Sequence, residues 1–539
     1  MAKVNEGKID KGFPFRGEDG APSYYPGQRE AIVDIIQAFE EGNRYVIVDA
    51  PTGAGKSGIA ATVSAYYGGG CWATTPKNML VDQYKKLGFR LLKGAGNYDC
   101  CNYGGSCQQA MTYYKAKGEL HKEARGCCKQ CGYKNDAEDF FDPDWEGGCI
   151  TNTHFMWSGL GLFTKLPPKE LLVVDEAHLL ESTLADMVKV VVRKEDLDAI
   201  DFDIPLTNES GLDAWIAKYT NALDLQITKY LDILKNSKLD RASKSIAELV
   251  QSLDHLTRRR RNIRTYTDFS TATSWIRKLQ VDSKNRVEKV EMEPVYGGFL
   301  AEHLFSTANR ILLMSATFLD KHHTSIELRI PENKLAYIRM PSYFPPENQL
   351  MFWDPELRLN FGNMEQNLPR LVEKIDRILD HHIGERGLIH TVSYKLTNSI
   401  LALTRHRKRM SVVKDGEKQV HAIEKHYKKK GSILIGPAFV EGLDLAGDTG
   451  SFCIFPKVPF PPIATDEKLA TRERSHPGYG NLLTARSIVQ GKGRVTRSDK
   501  DFSTSYFLDG NLSMLLRGPS ASYFPDLFWR SLRIVSEPI

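Results

Sequence analysis

Tyr45-Val46-Ile47-Val48-Asp49-Ala50-Pro51-Thr52-Gly53-Ala54-Gly55-Lys56-Ser57-Gly58-Ile59-Ala60-Ala61-Thr62-Val63 is the most informative segment of the chain. Tyr45 to Val48 is a β-branched and aromatic run of strand length, and Gly58 to Val63 can open a helix, so residues 50–57 form a strand-to-helix turn. A glycine-rich turn there lets backbone N–H groups close around phosphates at a helix N-terminus. Lys56 supplies a point charge for the β- and γ-phosphates and the Ser57 hydroxyl a ligand for magnesium, with Thr52, Gly53, Ala54 and Gly55 completing the cradle. The strict pattern asks for glycine at position 50, where this chain has alanine, leaving Gly53 and Gly55 to make the turn.

A second strand-like run, Leu171-Leu172-Val173-Val174, ends in Asp175-Glu176-Ala177-His178. Two carboxylates after a buried strand suit hydrolysis of a magnesium nucleotide: Asp175 holds the metal through its water shell, and Glu176 orients and deprotonates the attacking water. An Asp-Glu pair alone also reads as a solvated turn; Lys56 elsewhere in the chain argues against that. His178 has two readings, coupling hydrolysis to another ligand or capping the strand end. Far downstream stands Gln490-Gly491-Lys492-Gly493-Arg494-Val495-Thr496-Arg497. If Arg494 and Arg497 reach the same triphosphate they stabilise charge on the transferring phosphoryl group only when two lobes close; the alternative is a basic surface helix.

Asp175 to His178 resembles the DEAH box of superfamily 2 helicases, and further segments follow in that superfamily's order. Tyr25-Pro26-Gly27-Gln28 is similar to the Q motif that reads adenine, Thr74-Thr75-Pro76-Lys77 to motif Ia and Ser315-Ala316-Thr317 to motif III. His390-Thr391-Val392-Ser393-Tyr394 resembles motif IV, Glu441-Gly442-Leu443-Asp444 motif V, and Gln490 to Arg497 motif VI. Within the superfamily the likeness is to the XPD/DinG (Rad3-related) branch. It is carried by Lys93 to Cys100, by Cys131-Gly132-Tyr133 with glycine in place of proline, and by Lys457-Val458-Pro459-Phe460-Pro461-Pro462. The resemblance, from about Tyr25 to Asp509, implies that Gln28 contacts the base, that Gln490 senses the γ-phosphate and that Asp444 joins nucleotide state to strand grip.

Six of nine cysteines fall between Cys100 and Cys131, the others of the six being Cys101, Cys107, Cys127 and Cys128. No hydrophobic leader stands at Met1-Ala2-Lys3-Val4, which predicts a reducing cytosol where clustered thiols bind metal and do not form disulfides. Spacing leaves zinc and iron–sulfur open. The resemblance implies a 4Fe-4S cluster on Cys100, Cys107, Cys128 and Cys131, with Cys101 and Cys127 as substitutes. Cys71, Cys149 and Cys453 sit beside apolar strand residues and read as packing.

At 539 residues, with 41% hydrophobic and 26% charged, the chain can bury several cores, and a formal charge of +5 excludes a uniformly basic surface. No apolar run approaches a membrane span. Apolar residues at helical spacing (Leu212, Trp215, Tyr219, Leu223, then Ile246, Leu249, Leu253, Leu256) predict a helical insertion before Ser315, which the resemblance equates with the Arch domain. Arg258-Arg259-Arg260-Arg261 and Arg264 could line a passage for single-stranded DNA or merely solvate a helix end. After Thr317, strand-like runs at 387–390, 432–435, 452–455 and 506–508 alternate with helical stretches at 364–382 and 482–490, the signature of a second parallel α/β domain. Met1 to Ser23 reads as partly mobile.

The expected fold is α/β: two RecA-like parallel-sheet domains, the first over 1–180 and 285–320, the second over 321–539. A cysteine-rich domain (95–148) and a helical Arch-like domain (182–284) are inserted in the first. The expected function is an ATP-dependent DNA helicase moving 5′ to 3′ on single-stranded DNA with tailed or forked duplexes as substrates. It uses ATP, magnesium and a 4Fe-4S cluster (zinc as the alternative), and is monomeric and cytoplasmic, nucleoid-associated or in a host cytoplasm, with replication or repair proteins as partners. The competing readings are a DEAH-type RNA helicase and a nucleotide-gated nucleic-acid clamp with structural zinc.

Overall fold

The computed structural model describes residues 4–51, 53–76, 78–118, 131–157, 166–206, 208–238, 243–284, 286–318, 320–413, 417–437, 449–495 and 501–535. Strands β1 (Tyr45–Asp49), β2 (Cys71–Thr75), β3 (Arg90–Leu91), β4 (Gly148–Asn152) and β5 (Lys169–Asp175) come first. Then β6 (Val190–Arg193), β7 (Trp275–Val281) and β8 (Val287–Pro294) pair antiparallel in a small sheet of their own. Next come β9 (Ala308–Ser315) and β10 (Leu335–Arg339), then β11 (Gln349–Trp353), β12 (Gly387–His390), β13 (Met410–Val412), β14 (Ile433–Gly436), β15 (Phe452–Phe455), β16 (Ser503–Phe507) and β17 (Leu532–Ile534).

Two seven-stranded sheets result, in the orders β10-β1-β9-β5-β2-β4-β3 and β13-β14-β12-β15-β16-β11-β17. Every pairing in both is parallel. Parallel strands need helical crossovers on both faces, so the central strands are buried on both sides and read as continuous apolar runs. That is why Tyr45-Val46-Ile47-Val48 and Leu171-Leu172-Val173-Val174 carry no alternation, every one of those residues being buried. The expected two RecA-like parallel domains are the architecture of the chain.

Several boundaries differ from the sequence reading. The first sheet takes its edge strand β10 from beyond residue 320, pairing Tyr45 to Asp49 with Leu335 to Arg339. The inserted unit runs past 284 to the end of β8 and is not purely helical. Its long helices Leu212–Asn236 and Lys244–Phe269 stand on the antiparallel β6-β8-β7 sheet. Leu212, Trp215, Tyr219 and Leu223 are buried as their spacing predicts, with Leu256, against Val190, Val290 and Met292 of that sheet. The N-terminal segment is not loose from residue 4 onward. Helix Glu6–Gly12 packs on helix Lys56–Tyr67, burying Ile9 and Phe13, and Asp10 accepts from Arg29 at 2.9 Å. Cys71, Cys149 and Cys453 are buried in β2, β4 and β15, as packing residues. Only residues 340–348 join β10 to β11, and Pro341, Pro345 and Pro346 are among them. Among the described residues no helix is long and apolar enough to cross a membrane.

Candidate nucleotide site and nucleic-acid cavity

The C-terminal ends of β1, β9 and β5, adjacent in the sheet, carry the phosphate loop, Ser315-Ala316-Thr317 and Asp175-Glu176 respectively. Ligands of open parallel sheets bind at that edge. The Ala50 N–H donates to Ser315 O at 2.8 Å, extending the pairing into the loop. Gly53 and Gly55 take φ +84° and +71°, where a side chain would be strained. A Cβ on Gly55 would lie 2.4 Å from Gln28 Nε2, so glycine is required there twice over.

Gln28 is fully buried; its Nε2 donates to Gly55 O at 2.9 Å and its Oε1 accepts from the Tyr25 N–H at 3.0 Å. Those contacts brace the loop. The ring of Tyr25 stacks at 6.0 Å on Tyr343 of the 340–348 connection, whose hydroxyl donates to Gly53 O at 3.4 Å.

Lys56, first residue of its helix, lies 3.7 Å from Glu176 Oε1. Asp175 Oδ2 accepts from the Tyr84 hydroxyl at 2.9 Å and Oδ1 from the Glu176 N–H at 2.9 Å; Tyr84 was not expected, having no motif around it. Burial, then the Glu176 charge, push the Asp175 carboxyl up to about 6, against the pull of Lys56. A buried carboxylate short of positive charge, with the Ser57 hydroxyl at the start of the helix opposite, fits a divalent cation. Glu176 itself takes φ +50°, a backbone state costly for a residue with a Cβ.

His178 joins the two sheets. Its Nδ1 is 2.7 Å from Ser315 Oγ, and Gln490, on helix Tyr479–Lys492 of the second domain, places Nε2 at 2.8 Å from His178 Nε2 and 3.0 Å from Thr317 Oγ1. An amide nitrogen only donates, so His178 Nε2 accepts and Nδ1 carries the proton toward Ser315. Burial holds the imidazole neutral, its pKa pushed down to about 4. The partners of His178 are thus Ser315 in its own domain and Gln490 in the other, a contact that neither sequence reading names. Arg494, half-buried just past the same helix, lies close enough to His390 to help burial depress that histidine to about 3. Thr52, Asp444 and Arg497 lie outside the described residues, as do Lys77, Cys127 and Cys128.

The segments similar to motifs Ia and IV have their threonines committed within the protein. Thr74 and Thr75 are fully buried, Thr74 bonding Thr153 at 3.1 Å, and Thr391 is buried against Thr397 at 2.6 Å. Tyr394 is exposed. Between helices Cys107–Lys117 and Lys244–Phe269 lies a cavity of about 1280 Å³ lined by Lys115, Arg258, Arg260, Arg261 and Arg264 together with four aspartates, Asp224 and Asp268 among them. Arg259 leaves the run. It is buried and pairs with Asp196 at 2.8 Å, because the helix turns it inward.

Cys100, Cys107 and Cys131 share one buried cluster with Tyr103, Tyr113 and Tyr114. Cys101 is disulfide-bonded, contrary to the expectation for these thiols. Among the described residues no group of three metal-ligating side chains is gathered closely enough to hold a metal, so these three thiols alone do not form a centre.

Residues 377–516 match the family described as helicase C-terminal domain. No curated protein matches the chain. Among solved structures the chain is similar to an XPD helicase, with a TM-score of 0.66 at 14% identity over 95% of this chain and all of that one. It is also similar to S. tokodaii Xpd4 (TM-score 0.54, 13% identity, 95% and 100% covered) and to an apo XPD (0.55, 15%, 94% and 100%). At these identities the likeness is one of fold, and the fold is XPD-like.

Proposed function

We propose that this protein is an ATP-dependent helicase that moves 5′ to 3′ on single-stranded DNA and separates tailed or forked duplexes. The observation that carries the reading is Gln490 of one parallel-sheet domain seated on His178 and Thr317 of the other, 2.8 and 3.0 Å away, beside Lys56 and Glu176. Hydrolysis at such a seam changes how the domains meet, and a strand held by both is then moved.

Lys56 and the loop N–H groups bind the phosphates, and Tyr25 and Tyr343 offer aromatic faces beside the loop to the base. Ser57 and Asp175 would hold a magnesium ion, which would supply charge neutralisation at the phosphates. Glu176 orients the attacking water and takes its proton, while neutral His178 passes the position of Gln490 to Glu176, 3.4 Å away. Arg494 and Arg497 add positive charge from the second domain on closure.

The arginine-lined cavity is the proposed strand passage, in the place of the passage framed by an Arch-like domain. Burial first, and then its neighbour Arg258, lower the pKa of Arg261, and a phosphate in the cavity would favour its charged form. A 4Fe-4S cluster on Cys100, Cys107, Cys128 and Cys131 is proposed for the adjoining cysteine domain, with zinc as the alternative. Brown, iron-containing protein purified without air supports it, and colourless zinc protein excludes it.

Strand displacement on duplexes with a single-stranded tail at either end, in DNA and in RNA, with and without ATP, tests the reading. ATP-dependent displacement of 5′-tailed DNA is expected. RNA displacement alone favours an RNA helicase, and ATP-dependent retention without displacement a clamp.

A further inference from the structure

Helix Tyr479–Lys492 meets the first domain through more than Gln490. One turn earlier, Arg486 is buried and forks onto Glu327, Nη1 to Oε1 at 3.0 Å and Nη2 to Oε2 at 3.1 Å. The Tyr479 hydroxyl donates to the same Oε1 at 3.1 Å. Arg486 Nε and Nη2 also donate to Phe318 O, at 3.4 and 3.3 Å. Phe318 directly follows Thr317, whose hydroxyl accepts from Gln490. A guanidinium of the second domain therefore grips the backbone immediately after Ser315-Ala316-Thr317, while the residue four positions along its helix touches Thr317 and His178.

A second buried pair stands behind it. Arg472 donates to Glu181 Oε1 at 2.6 Å and to Val295 O at 2.6 Å, and Glu181 Oε1 also accepts from the Gly297 N–H at 2.5 Å. Arg472 Nη1 donates to the Tyr479 hydroxyl at 2.5 Å, so the two pairs form one network from Glu181 through Arg472, Tyr479 and Glu327 to Arg486. Buried ion pairs are weak sources of net stability, but their geometry is specific, because every misplacement strands a charge.

We propose that Arg486, anchored on Glu327 and Phe318 O, is a positioning residue for ATP turnover that sets the register of the Gln490 helix against Ser315–Thr317 and thereby seats Gln490 on His178. This rests on the proposed function.

The test is steady-state ATP hydrolysis by the full chain carrying Arg486→Lys, with single-stranded DNA at saturation, alongside backbone hydrogen exchange at Thr317 and Phe318. Lysine keeps the charge and loses the fork. The expected result is a kcat lowered about tenfold or more with KM for ATP within about twofold of wild type, since phosphate binding is untouched. Exchange at Thr317 and Phe318 is expected to quicken. Wild-type kcat, or a loss appearing entirely in KM, overturns the proposal, as does unchanged exchange at those two residues. Should Arg486→Lys fail to fold, Tyr479→Phe removes one donor to Glu327 without unbalancing charge. It is expected to lower kcat about threefold at unchanged KM, and wild-type kcat there overturns the proposal equally. If the wild-type protein hydrolyses no ATP, the proposed function fails, and the exchange rates alone decide the role of Arg486.

Discussion

Two sets of arginines occupy this molecule on opposite terms. At the domain seam Arg472 and Arg486 are buried, each matched to a carboxylate and to a backbone carbonyl. Around the 1280 Å³ cavity Arg258 and Arg264 are exposed and Arg260 and Arg261 half-buried, with Arg260 paired to Asp224 and Arg264 to Asp268. A guanidinium whose fork is filled by protein fixes geometry; one whose fork faces a cavity is available to phosphate. Arg259 shows how little separates the two, since it adjoins Arg258 in sequence and yet is committed to Asp196.

The largest effect is expected at the seam. Glu181→Ala leaves Arg472 buried without its carboxylate, which costs about 3–5 kcal/mol of stability. Chemical denaturation should show it, and an unchanged midpoint would place Arg472 with the cavity arginines. Next is a pH effect of the neutral histidine at the same seam. His178 has a folded pKa of about 4 against an ordinary 6.5, so the unfolded chain takes up a proton that the folded one refuses. Stability attributable to His178 is thus intact above pH 6.5 and falls through the window down to about 4, by up to about 3 kcal/mol. His178→Gln should flatten the pH dependence of unfolding in that window.

At the cavity the same kind of change should spare the fold and weaken binding. Arg258→Ala with Arg261→Ala is expected to lower affinity for single-stranded DNA and reduce the slope of log affinity against log salt by about 1.4, about 0.7 for each phosphate left without its arginine. A slope identical to wild type would mean that the strand passes elsewhere. The smallest effect belongs to Arg264, which is exposed and paired within its own helix to Asp268 at 3.5 Å. Arg264→Ala should change stability by no more than about 0.5 kcal/mol.

Local chemistry made much of this legible in the sequence. The phosphate loop and Asp175-Glu176 announce themselves because glycines and carboxylates at strand ends have few other uses, and Gly387–His390 and Phe452–Phe455 are strands as read. Partnership was not legible. Leu335–Arg339 belongs to the first sheet because it pairs with a strand 290 residues earlier, and no pattern within it says so. The seam pairs join positions 291 and 159 residues apart, a separation that no local pattern bridges. Gln28 is expected to meet the base, and the sequence did not show that its two polar atoms also bond Gly55 O and the Tyr25 N–H, which depends on the approach of the loop. Within the arginine run, which members turn inward depends on a helical phase fixed by packing against Asp196.

The connection between the sheets bears on how the molecule travels in solution. Nine residues, 340–348, separate β10 from β11, three of them proline. Fully extended, nine residues reach about 30 Å, and proline stiffens that span. Even with every seam contact broken, the tether keeps the halves within about 30 Å of each other, so the seam re-forms at a high effective concentration. Rotational correlation times should report one tumbling body while the seam is closed.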